Sequence, residues 1–189
     1  MSDARQELLQ SIVDVARAIF FAKASSVALL DESVGDFVFE AVAGKGSEHL
    51  VGSRFPAGSG IAGSVAQTGE ATIIDDLSRD PGFARDVAQE TGYVPRRIMA
   101  APLLRGERTL GVLSVLDRGD TGRGSRQELA LLSEFATQAA LAIDLSRATT
   151  PDLPADDRVA ELVRRLDLVQ GERREAAERL LAALGDLLE

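Results

Sequence analysis

Cysteine is absent from the 189 residues. Its absence excludes thiolate metal sites, disulfides, a cysteine nucleophile and thioether attachment of a chromophore. No run of about 18 apolar residues is present, so no membrane-crossing helix is expected. The opening segment MSDARQELLQ lacks the basic start and apolar centre of a signal peptide, and with the missing cysteine this predicts a cytoplasmic protein. Histidine occurs once, at His49, and aromatics make up 4% of the chain. Positive charge is in deficit: 21 Lys and Arg stand against 30 Asp and Glu, a formal net charge of -9. Such a chain repels a phosphate backbone, and no basic block offsets the repulsion locally, so no nucleic-acid partner is expected.

What is there describes a folding chain. Hydrophobic residues at 45% and charged residues at 27% are ordinary globular proportions, and the length suits one main domain with an appendage. Leu8, Leu9, Ile12, Val13, Ala16, Ile19 and Phe20 recur every three or four residues, which predicts an amphipathic first helix. Two β-type runs, 25–30 and 37–42, flank DESVGD and predict a hairpin. The segment 45–54 reads as a loop. PAGSGIAGSVAQTGEATIIDD then reads as a glycine-rich turn entering a short helix, followed by a strand over 72–74. Asp80 before Pro81 predicts an N-cap and a helix over 81–91. The runs 98–104 and 109–116 flank RGER and predict a second hairpin. Ser125 and Glu128 have capping-box spacing before a long final helix carrying Leu129, Leu132, Ala136, Ala139 and Ile143.

The proline-containing stretch TTPDLPADD marks a change of composition. We therefore divide the chain into a domain over 1–148, a linker over 149–156 and a tail over 157–189. Leucine and valine spacing predicts two short amphipathic helices in the tail, and helices so short need a docking surface.

The element order, with GSGIAGSVAQTGEATIIDD over 58–76 and MAAPLLRGERTLGVLSVLDR over 99–118, resembles the GAF domain family across about residues 5–148. The resemblance implies an α+β fold: a central antiparallel sheet with the N- and C-terminal helices on one face and a small-molecule pocket on the other, built from residues 54–101. Relatives bind cyclic nucleotides, bilins, haem or small metabolites, so the ligand stays open and no cofactor is named. No stretch resembles the asparagine, lysine, phenylalanine and acidic pattern of the cyclic-nucleotide phosphodiesterase members. Without cysteine, the usual chemistry of bilin photoreceptors and of free methionine sulfoxide reductases is ruled out.

Several residues invite a chemical reading, and each also has a plainer one. Gly58, Gly60 and Gly63 match a dinucleotide fingerprint, but no βαβ unit surrounds them, so a tight turn and close helix packing account for them better. Asp75 and Asp76 end a strand; one is expected to cap the next turn, and Asp76 is the preferred polar contact of a ligand. His49 sits in a polar loop, where a solvated side chain is the default over haem ligation. Phe55, Ile61, Phe83, Tyr93 and Met99 fall in the segments where the resemblance places pocket walls, and with few aromatics available they serve equally as core filling. Arg97 and its neighbour Arg96 could hold an anion, although surface exposure is the simpler reading.

The sequence thus predicts a non-catalytic sensor, since no base and nucleophile pair is visible. Pairing with a second copy is expected through Ile12, Ile19, Leu132, Phe135 and Ala139 of the first and last helices, with a possible protein partner for the tail. The alternative is an interaction module whose pocket is filled by its own side chains.

Overall fold

A computed structural model describes residues 3–45 and 50–148. The linker, the tail helices and His49 lie outside the described residues. In chain order the elements are α1 (Asp3–Ile19), β1 (Ala24–Asp31), β2 (Asp36–Gly44), β3 (Arg54–Pro56), α2 (Gly60–Thr68), β4 (Thr72–Ile74), α3 (Arg85–Glu90), β5 (Ile98–Arg105), β6 (Arg108–Leu116) and α4 (Ser125–Ala148). A single 3-10 turn, Leu77–Arg79, follows β4. The strands form one sheet in the order β3-β2-β1-β6-β5-β4, and every neighbouring pair is antiparallel.

Period-two alternation sorts the sheet residues between two apolar layers. Val27, Met99, Leu103, Leu113 and Val115 share one layer with Leu9, Val13 and Ala16 of α1 and Leu132, Ala136 and Ile143 of α4. Ala28, Ile98, Ala100 and Val112 share the other with Ile61 and Val65 of α2 and with Leu77. The first and last helices therefore cover one face, and the middle segments cover the reverse.

A bulge in β2 keeps this sorting intact. Val27 pairs with Ala41 and Ala28 with Phe39, leaving Glu40 as the extra residue. Alternation flips there, so Phe37 and Phe39 face the α2 side whereas Ala41 and Ala43 face the helices. The α1 side chains Gln6 and Gln10 donate to the carbonyls of Glu40 and Val42, at 2.7 and 3.1 Å, and fasten α1 across the bulge.

Four expectations need correction. The loop before Arg54 ends in an unforeseen edge strand, β3, which pairs Phe55 with Phe37. Asp80 and Pro81 open a turn rather than a helix: Asp80 Oδ1 accepts the Gly82 amide at 2.8 Å, and helical geometry starts only at Arg85. Glu128 does not close a capping box. Its carboxylate is buried and bound by Arg118 Nε and the Thr121 hydroxyl, both at 2.6 Å, and because the helix already includes Ser125, it is Gln127 Oε1 that accepts the amide of the preceding Gly124, at 3.4 Å. Finally, Ile12, Leu132 and Ala139 lie inside the protein's own core, so a pairing seam cannot be made from them; Ile19 and Phe135 are half-buried against that core.

Candidate functional site

On the sheet face away from α1 and α4 lies a cavity of about 130 Å³. Its floor comes from the strands: Ser26 and Ala28 of β1, Phe39 and Val42 of β2, Ile98 of β5, and Ser114 and Leu116 of β6. Phe55 of β3 forms one wall, its ring centroid 4.9 Å from that of Phe39 and 5.3 Å from that of Phe37. The first turn of α2 gives a second wall, Ser59 to Ala62. The third is the stretch around α3, with Phe83, Ala84, Val87, Ala88, Thr91, Tyr93 and Pro95. The lining is mainly apolar, as small-molecule sites are.

Glycines set the α2 wall. Gly60 opens the helix with φ +67, a left-handed conformation that glycine adopts without strain. Gly63 lets the helix lie against the preceding turn, since a Cβ there would come within 2.7 Å of the Ala57 carbonyl oxygen. These glycines thus shape a turn within an antiparallel fold and form no dinucleotide loop. The Ser59 hydroxyl makes no cap hydrogen bond. Among the described residues the amides of Gly60, Ile61 and Ala62 find no acceptor, whereas that of Gly63 reaches the Ser59 carbonyl at 3.1 Å.

The α3 wall is held at its far end by Asp117, the residue after β6. Asp117 Oδ1 accepts the amides of Arg96 and Arg97 at 2.8 and 3.0 Å, and Oδ2 accepts the Tyr93 hydroxyl. Burial opposes ionisation of Asp117. The hydrogen bonds from Tyr93, Arg96 and Arg97, with Lys23 3.9 Å away, outweigh that and hold its carboxyl below the usual range. Burial, then the hydrogen bond and charge of Asp117, push the Tyr93 phenol well above its ordinary value.

Of the residues singled out from sequence, Phe55, Ile61, Phe83 and Tyr93 line this cavity and three others do not. Met99 is wholly buried on the opposite face, one position out of phase with Ile98. Arg97 is exposed and meets Asp117 through its backbone, its amide donating to Oδ1 and its carbonyl accepting the Asp117 amide, each at 3.0 Å. Asp76 caps the 3-10 turn, accepting the Ser78 amide at 3.1 Å and hydroxyl at 2.6 Å, and pairs with Arg79 at 3.4 Å. Asp75 pairs with Arg118 at 2.7 Å. Among the described residues no three His, Cys, Asp or Glu side chains gather as a metal site.

The residues that sequence reading missed are Ser26 and Ser114, cross-strand partners on β1 and β6. They are 7% and 8% exposed. Both line the cavity, and neither hydroxyl has a hydrogen-bond partner among the described residues. The neighbouring Ser25 differs: its hydroxyl donates to the Ser114 carbonyl at 3.1 Å. A lone serine inside the apolar run LGVLSVL was the available signal.

Comparison with known proteins agrees with this architecture. Residues 4–143 match the family model described as GAF domain. The probable 3',5'-cyclic phosphodiesterase pde-5 of Caenorhabditis elegans is 32% identical over 71% of this chain, which spans 18% of that relative's length. The GAF domain of a phosphoenolpyruvate-protein phosphotransferase from Coxiella burnetii superposes with a TM-score of 0.69 at 22% identity, covering 78% of this chain and 86% of its own. A free methionine-R-sulfoxide reductase from Neisseria meningitidis, solved with its substrate, gives 0.64 at 20% identity over 77% and 81%. At these identities the two solved structures speak for the fold alone. With the family model matching 140 consecutive residues of the same sheet and helices described above, this chain belongs to the GAF domain family.

Proposed function

We propose that this chain is a non-catalytic regulatory domain that binds a small molecule in the cavity over β1, β5 and β6 and transmits occupancy through its helices. The observation that carries the reading is the mainly apolar cavity, in whose lining the Ser26 and Ser114 hydroxyls and the first α2 amides are not engaged by any described residue. Among the described lining residues no carboxylate or histidine stands by those hydroxyls to act as a base, which supports binding over catalysis. Occupancy would favour one arrangement of α2 and α3 over another, a population shift read through the sheet by α1 and α4.

Pairing with a second copy fits the same scheme, through the outer sides of α1 and α4. Val15, 41% exposed, and the half-buried Ile19, Leu131 and Phe135 supply the apolar groups there. Light scattering at tens of micromolar should report a dimer, and a monomer would overturn this part of the proposal.

A thermal-shift survey of small acids, nucleotides and haem tests ligand binding. A compound at a hundred times its Kd should stabilise the protein by about 2.7 kcal/mol. If no compound shifts the transition, the cavity is idle and the domain is an interaction module.

A further inference from the structure

The geometry points to the ligand's chemical class: a compact monocarboxylate, with an apolar body the size of one aromatic ring or branched chain. This inference rests on the cavity's being a binding site and adds size, charge and contact atoms to it.

Size comes from the volume. At about 130 Å³ the cavity is close to the roughly 150 Å³ that admits one benzene ring in a protein interior. A nucleotide, with base, sugar and phosphate together, exceeds that volume and would have to extend out of the cavity's open side. Shape and polarity come from the walls: Phe39, Phe55, Phe83 and Ile98 offer apolar surface to the ligand's body.

Charge comes from what lines the site. Among the described lining residues there is no carboxylate, and the one charged side chain is Lys45. A cation finds no counterpart there. An anion meets three amides of α2, those of Gly60, Ile61 and Ala62, which lack an acceptor at the positive end of a nine-residue helix. The helix end alone would be weak ground. The independent observation is the Ser26 and Ser114 pair, each residue more than nine-tenths buried, lining the same cavity, with hydroxyls that no described residue engages. Hydroxyls without a protein partner at the wall of an apolar cavity are left for water or a ligand to engage. A carboxylate accepts from both hydroxyls and amides; an alcohol or an amine satisfies at most part of the set.

Calorimetric titration of the full chain with benzoate, benzyl alcohol, benzylamine and cyclic GMP tests the inference. The first three share a ring and differ in charge. Benzoate should bind at least about tenfold tighter than the alcohol or the amine, and cyclic GMP should bind less tightly than benzoate. In the double variant Ser26→Ala with Ser114→Ala, benzoate affinity should fall about tenfold, while the melting temperature holds or rises because no protein hydrogen bond to either side chain's hydroxyl is lost. Equal affinity across the charge series, or an unchanged affinity in the double variant, overturns the monocarboxylate assignment. Preference for cyclic GMP overturns the size class but leaves the cavity a binding site. Failure of all four probes overturns both.

Discussion

The Tyr93 hydroxyl donates to Asp117 Oδ2, joining the wall after α3 to the residue that follows β6. The same carboxylate takes the amides of Arg96 and Arg97, so one side chain fixes the entry to β5, the exit from β6 and a cavity-lining ring. Tyr93→Phe should lower stability by about 1 to 2 kcal/mol near neutral pH, as expected for a hydrogen bond to a charged group. Folding raises the Tyr93 pKa and lowers that of Asp117. The tyrosine's contribution is therefore complete below its unfolded value of about 10 and is lost as pH rises beyond it. That of Asp117 is complete above about 4 and is lost as pH falls through its lowered folded value. Urea denaturation of wild type and variant should show a constant gap between about pH 5 and 9 that narrows at both extremes. No gap at neutral pH would contradict the contact.

Arg118 and Glu128 form a buried ion pair at the start of α4, with Arg118 Nε 2.6 Å from Glu128 Oε2 and side chains 9% and 4% exposed. Burial works against the Arg118 charge, but the hydrogen bonds and charges of Glu128 and Asp75 more than compensate and raise its pKa. Arg118→Met should cost about 3 to 5 kcal/mol, because Glu128 is left buried without its cation. Adding Glu128→Leu should recover much of that loss. Chemical denaturation of both variants checks the order, and a single variant no worse than the double would contradict it.

Neighbouring residues on β5 should separate by function. Met99→Ala removes a wholly buried side chain from the layer under α1 and α4 and should cost about 2 to 5 kcal/mol with no change in benzoate affinity. Ile98→Ala should weaken binding as well as stability, since Ile98 lines the cavity and is itself buried. Stability and affinity measured on the two variants decide it, and the reverse pattern would mean that the faces are wrongly assigned.

Glycines in the turn before α2 are not equivalent. A Cβ at Gly63 would lie 2.7 Å from the Ala57 oxygen and 2.8 Å from the Gly58 carbonyl carbon, whereas one at Gly58 meets nothing within 4 Å. Gly63→Ala should destabilise by more than the roughly 1 kcal/mol that alanine gains within a helix, while Gly58→Ala should change stability by less than about 0.5 kcal/mol. Thermal unfolding of the pair provides the comparison.

The sheet and both flanking helices were legible because their signals are periodic: the three- and four-residue recurrence from Leu8 to Phe20, and the long apolar runs of β5 and β6. Legibility failed where tertiary context decides. Three residues around Phe55 carry too little pattern to announce β3, and the aromatic cluster with Phe37 and Phe39 exists only once that edge pairs. Met99 and Ile98 are equally apolar, so composition could not say which face each takes; the register with Val115 and Leu116 does. Glu128 has capping-box spacing, but Arg118, ten residues earlier, claims its carboxylate. The serine pair escaped notice because Ser26 and Ser114 are 88 positions apart in sequence and meet only across the β1 and β6 ladder.

The central claim is a small-molecule cavity on the sheet face opposite α1 and α4, and methyl NMR during a benzoate titration addresses it most directly. Ile61 and Ile98 line the cavity, whereas Ile12, Ile143 and Met99 pack in the other layer. The methyl resonances of Ile61 and Ile98 should move in proportion to occupancy while those of Ile12, Ile143 and Met99 stay near their starting positions. Shifts centred on the second group, with Ile61 and Ile98 unmoved, would contradict the account.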